Sequence, residues 1–159
     1  MAHEWETKIS RVMDGKVIIH GYSHEDLIGH YTYADGVAQI PPEPPVPQVA
    51  ELPPVWVSPK AARRAELYQL LKNLGASIET GAAPSSQALI LVAPLGLDVT
   101  TLAAVERLDA TRTMGIDMML DDAATKRRVL ATNPATRPDM RDAAHALFAR
   151  DGKAVSVIR

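Results

Sequence analysis

Eight of the twelve prolines in the 159-residue chain fall between Pro41 and Pro59, in the stretch "PPEPPVPQVAELPPVWVSP". Each proline removes a backbone donor and fixes φ, so a tract this dense interrupts any helix or interior strand that runs into it and favours extended polyproline geometry. The chain therefore divides into an N-terminal segment, residues 1–40, a proline-rich connector, residues 41–59, and a longer segment, residues 60–159. Val46, Val49, Leu52, Val55, Trp56 and Val57 punctuate the connector with apolar side chains in which free linkers are poor. The expectation is that it packs along its own chain or on a partner subunit.

In the first segment, "KISRVMDGKVIIH" places Asp14-Gly15 between two β-prone runs, the signature of a two-residue hairpin turn, which predicts a hairpin over residues 8–20. Ser23 then stands as an N-cap with Asp26 three residues on, flanked by Tyr22 and Leu27 as staple residues, so a short helix is expected from His24 to Gly29. Thr32 and Asp35 repeat the spacing and predict a second short helix in "YADGVAQI", closed by Pro41.

Beyond the prolines, Ser58-Pro59 reads as N-cap and first helical residue of "KAARRAELYQLLKNLG", with Ala61, Ala65, Tyr68, Leu71 and Leu74 on one face and Gly75 as the stop. The run "SSQALILVA" suits a buried helix or a buried strand, and its helical neighbours favour the helix. Asp98 caps "VTTLAAVERLDATRTM", and Asp121 caps "DAATKRRVLAT", which Asn133-Pro134 ends. Thr136 and Asp139 form a capping box for "RPDMRDAAHALFAR", with Met140, Ala143, Ala144 and Leu147 inward and Gly152 past the end. The tail "KAVSVIR" alternates weakly and suits a strand or a frayed end. These elements together predict a mainly α-helical protein with a small N-terminal β-hairpin.

The absence of cysteine excludes disulfides, thiolate metal sites and a cysteine nucleophile. A net charge of −2 carries no nucleic-acid footprint. The longest apolar run, "ALILVA", is too short to span a bilayer, and "MAHEWETKIS" lacks the apolar core of a signal peptide. A cytoplasmic protein is expected, with neither nucleic acid nor membrane as partner.

The hairpin, then His20-Gly21-Tyr22, Glu25-Asp26-Leu27-Ile28, "TYADGVAQI" and Glu51-Leu52-Pro53, resembles the N-terminal part of the citrate synthase family, including its citryl-CoA lyase relatives. The likeness extends more weakly through "ARRAELYQLLKNLGAS", "APSSQALILVAP" and "LDVTTLAAVERLDATRTMG". It implies a truncated citrate-synthase-like helical fold and a coenzyme A thioester reached through a partner chain. The family has arginine where His20 stands, and its His-Gly-Gly-Ala histidine would fall near residues 113–119, which contain no histidine. The resemblance thus implies a small, non-catalytic subunit of a larger catalytic chain, or a homo-oligomer, with no catalytic residue of its own. The alternative is a free-standing interaction module that binds through its proline tract.

Candidate sites follow from both readings. Lys126, Arg127 and Arg128 are candidates for a coenzyme A phosphate, although three basic residues in a row are commonly a solvated face. Pro44 and Pro47, in a PxxP spacing, and Trp56 are candidates for partner binding. His20, His24 and His30 do not share a helical face as zinc-binding pairs do, and His145 reads as a polar residue on a helix edge, so no metal or catalytic role is assigned to them.

Overall fold

The computed structural model describes residues 45–119 and 127–158 in full and, before them, the backbone of four strands. The chain forms two compact units, Met1–Pro44 and Pro45–Arg159. In the first, β1 (Lys8–Met13), β2 (Lys16–His20), β3 (Tyr31–Ala34) and β4 (Val37–Gln39) make an antiparallel sheet in chain order. Met13 pairs with Lys16, so Asp14 and Gly15 alone connect β1 to β2, as expected. Ala34 pairs with Val37 in the same manner across Asp35-Gly36. The helix expected in "YADGVAQI" is therefore a second hairpin, carrying the same Asp-Gly signal between β-prone residues. The helix expected over His24–Gly29 lies outside the described residues.

The second unit holds a six-stranded sheet of β5 (Val55–Val57), β6 (Ile78–Glu79), β7 (Leu89–Val92), β8 (Thr113–Ile116), β9 (Arg127–Ala131) and β10 (Ala154–Ile158). The order is β6-β5-β7-β8-β9-β10. Strands β5 to β8 run parallel; β9 is antiparallel to β8, and β10 is parallel to β9. Helices α1 (Arg64–Asn73), α2 (Val99–Val105) and α3 (Pro138–Phe148) are the crossovers that these parallel connections require.

The expected mainly helical, citrate-synthase-like architecture is thus overturned: the fold is α/β, with strands where helices were expected at "ALILVA", "TRTMG" and "RRVLAT". Leu89–Val92 is buried at every residue. A strand covered on both faces loses the alternation that would reveal it, leaving only its shortness and the flanking Pro84 and Pro94 as signals. The end of the proline tract follows the same logic. Val55, Trp56 and Val57 are buried as an interior strand, and Leu52 packs against the core, so this part docks on its own chain. Pro54 sits at the strand entry, where its missing N–H costs no ladder bond and its carbonyl accepts from Leu89 N at 2.8 Å.

Of the expected helix signals, Gly75 and Gly152 do follow α1 and α3 with φ of 69° and 83°. Asp98 caps α2, its carboxylate accepting from Thr101 N at 2.9 Å. Ser58 does not cap α1, which begins at Arg64 after Arg63 in the left-handed region; buried Ser58 instead donates to Glu106 of the α2 end. Thr136 bonds to Asn133 and Thr113 and leaves Arg137 at the N-cap of α3, whose Met140, Ala143, Ala144 and Leu147 are buried as predicted.

The main core lies on one face of this sheet, where Leu67 and Leu71 of α1 and Met140, Ala144, Leu147 and Phe148 of α3 cover Val57, Leu91, Met114 and Leu130. Each fully buried large side chain there contributes about 1.5–3 kcal/mol. The opposite face carries a smaller cluster of Trp56, Ala88 and Ile90, with Leu108 against it. Helix α2 buries Val99 and Ala103 on this side. A Cβ on Gly115 would lie 2.5 Å from Val99 Cγ2, so the glycine lets α2 approach β8 closely.

Candidate functional site

Open α/β sheets bind ligands outside the carboxyl ends of their strands, near the point where the chain order reverses. Here that point lies between β5 and β7, because α1 carries the chain outward to β6 and β7 returns on the other side. The loops there are stitched together: Ser58 N donates to Leu91 O, Ala62 N to Ala93 O, and Arg63 Nη1 to Met118 O. Open space is found farther along, where the loop after β7 meets the second face of β8, β9 and β10.

Two adjoining cavities of about 570 and 340 Å³ share Pro94, Leu97, Ala131 and Ile158 and make one groove. The groove exists because α2, at seven residues, is too short to cover six strands. Gly115 and Ala131 recess its floor, and they are register partners on neighbouring strands. Leu95, Leu97, Met119 and Ile158 stand half or more exposed around it, a concentration of apolar surface that single scattered side chains do not produce.

The larger cavity becomes polar toward Asp98, Thr100, Asn133, Thr136 and Arg141. The Thr101 hydroxyl and amide hold the Asp98 carboxyl below its usual range. Asn133 is buried; its amide donates to Ala110 O and Thr113 O, and its oxygen accepts from Ala135 N, which fixes the chain leaving β9. Arg141 pairs with Asp142 at 2.8 Å while lining the cavity, and in the smaller cavity Asp117 accepts from Met119 N at 2.8 Å. Such an arrangement offers apolar contact and directed hydrogen bonds side by side. Among the described residues no group of three or more His, Cys, Asp or Glu is placed to hold a metal ion, and no helix is long and apolar enough to cross a membrane.

The residues singled out from sequence do not assemble there. Lys126 lies outside the described residues. Arg127 and Arg128 are consecutive in β9 and so point to opposite faces. Exposed Arg127 donates to Ser156 Oγ at 2.7 Å, whereas buried Arg128 donates to Phe148 O at 2.7 Å and grips both Asp151 oxygens at 2.6 and 2.7 Å. The sheet separates the two side chains, so Arg127 and Arg128 do not lie side by side on one surface. Pro44 lies outside the described residues, and Pro47 is half-buried in the extended entry to the second unit. Trp56 is an interior residue of β5 whose Nε1 donates to Gly81 O at 2.9 Å. His20 ends β2, His24 and His30 are outside the described residues, and His145 is buried in α3. The groove residues Ala131, Asn133, Thr136 and Arg141 were missed because no local motif gives them a binding role: Thr136 read as half of a capping box and Asn133-Pro134 as a chain break. Comparison with models of protein families, with curated proteins and with solved structures finds no match for this chain.

Proposed function

We propose that the second unit is a binding domain whose groove holds a small amphipathic molecule, its apolar body over Gly115, Ala131 and Ile158 and an anionic, hydrogen-bond-accepting end at Arg141. The observation that carries this is the 570 Å³ cavity whose apolar walls converge on polar side chains at one end, in the size range and character of small-molecule sites. Asp98, Asp117 and Arg141 are each engaged in local hydrogen bonds, which favours positioning over proton transfer. In this reading the chain works as a non-catalytic subunit, and chemistry on the ligand belongs to a partner chain.

The test uses 8-anilinonaphthalene-1-sulfonate, an apolar body with one anionic end, as the probe. Wild type is expected to enhance its fluorescence saturably, Arg141→Ala to weaken binding, and Ala131→Trp, which fills the floor shared by both cavities, to abolish it. No enhancement by wild type, or full enhancement by a folded Ala131→Trp variant, overturns the proposal.

A further inference from the structure

Most of the polar side chains lining the larger cavity spend their hydrogen bonds on the protein itself. The Asn133 amide donates to Ala110 O and Thr113 O, the Thr136 hydroxyl accepts from Asn133 N and donates to Thr113 O, and the Thr132 hydroxyl donates to Ile158 O. The two charged residues differ. Asp98 accepts once at each oxygen, from the amide and the hydroxyl of Thr101, and a carboxylate has room for about four such bonds. Arg141 turns Nε and Nη2 to one oxygen of Asp142, each at 2.8 Å, which leaves the Nη1 side of its fork for another acceptor. Although Asp98 and Arg141 carry opposite charges and line one cavity, no ion pair joins them among the described residues.

We propose that the groove takes a zwitterion, a small molecule with an ammonium and a carboxylate on one apolar frame, the carboxylate at Arg141 and the ammonium at Asp98. This assignment rests on the groove being a small-molecule site and adds the second charge to its ligand. A purely anionic ligand attracted by Arg141 shares the cavity with the Asp98 carboxylate and is repelled by it, and a purely cationic ligand meets the reverse. A ligand carrying both charges gains at each. Leu97, Val99, Ala131 and Ile158 line the same cavity and give the apolar frame a wall to lie on. Asp98 and Arg141 both stand exposed, so each contributes modestly, and selectivity comes from having the two together. The chemistry is met by amino acids with an apolar side chain, whose charges adjoin, and by ω-amino acids, whose charges stand apart.

Displacement of 8-anilinonaphthalene-1-sulfonate from the full chain tests this with two zwitterions, phenylalanine and 4-(aminomethyl)benzoate, each beside the analogues that lack one charge. For phenylalanine these are 3-phenylpropionate and 2-phenylethylamine, and for 4-(aminomethyl)benzoate they are 4-methylbenzoate and 4-methylbenzylamine. At least one zwitterion is expected to compete about fivefold better than both of its analogues, and the one that does so reports how far apart the charges stand. Asp98→Asn, which keeps an acceptor for Thr101 N and so the cap of α2, is expected to erase that preference without weakening the carboxylate-only analogue. If the dye binds but neither zwitterion outcompetes its carboxylate analogue, or if the preference survives Asp98→Asn, the zwitterion assignment is overturned while the small-molecule site stands. If the dye does not bind the wild-type chain, the site itself is overturned and the assignment with it.

Discussion

The two faces of the six-stranded sheet put similar residues to different use. Under α1 and α3, Phe148, Leu147, Leu67 and Leu71 are buried against a continuous layer of strand side chains. On the α2 side, a seven-residue helix covers the middle strands, and Leu95, Leu97, Met119 and Ile158 remain exposed beside small floor residues. The first face has the properties of a folding core, and the second is an apolar surface that its helix leaves partly open. A stability measurement that treats both alike would hide this division, so the faces are best separated by matched truncations.

The largest expected difference is between Phe148→Ala and Leu95→Ala. Phe148 is fully buried, and its removal leaves a cavity in a close-packed layer, costing about 3–5 kcal/mol. Leu95 is among the most exposed apolar residues, and its truncation should alter stability by about 0.5 kcal/mol or less. Urea denaturation of both variants checks this; comparable losses would show that the second face is covered in solution.

Next in size is Gly115→Ala. The added Cβ meets Val99 Cγ2 at 2.5 Å, so α2 must shift or Val99 must leave its rotamer, at about 1–3 kcal/mol. Val99→Ala in the same chain should restore part of that loss, because the clash is with one side-chain carbon. A double-mutant cycle by denaturation measures the coupling. Additive losses would mean that α2 does not sit against β8 as described.

The two faces also differ in how far they could be read in advance. Met140, Ala143, Ala144 and Leu147 announced the inward side of α3 through helical spacing, and Asp98 announced the start of α2. Leu89–Val92 could not be resolved as a strand because both its faces are buried, and spacing carries no information when every position is apolar. Asp35-Gly36 carried a hairpin signal equal to that of Asp14-Gly15, but the neighbouring Thr32 and Asp35 satisfied a capping pattern as well, and local rules alone do not choose between them. The groove was out of reach for another reason. It joins the loop around residues 94–100 to the end of β9 near residues 131–136, which only sheet order brings together. Arg127 and Arg128 show the cost of reading a charge run without its element: on a helix they form a patch, and on a strand they part.

A smaller effect is expected from Asp98→Ala, which removes the carboxylate accepting from both the amide and the hydroxyl of Thr101. Losing an N-cap of this kind should lower the melting temperature by about 2–4 °C. Because Asp98 also lines the polar end of the cavity, the same variant should bind the anionic probe no more weakly than wild type, since a negative charge has gone. Weaker probe binding without further loss of stability would show that α2 had moved away from the groove.

The smallest expected effect is a pH dependence that belongs to the covered face. His145 is buried in α3, and burial pushes its pKa below the usual histidine value; neighbouring Asp142 partly opposes this and Arg141 adds to it. A depressed folded pKa means that the unfolded chain binds the proton first. The contribution of neutral His145 is therefore fully present above the unfolded value of about 6.5, declines as pH falls below it, and levels off once the folded pKa is passed. Asp109, held at about 2 chiefly by its hydrogen bond from Arg112 and then by Thr111, also has a lowered pKa, so its contribution changes with pH in the same direction but at lower pH. Its contribution is present above the ordinary carboxylate range and is lost only as pH falls toward 2, so the two windows do not overlap. Denaturation midpoints measured between about pH 7.5 and pH 5 should thus fall slightly for wild type and fall less for His145→Gln, the difference reporting His145 alone. Equal slopes in the two proteins would place His145 in contact with solvent and would move that part of α3 from the covered face to the open one.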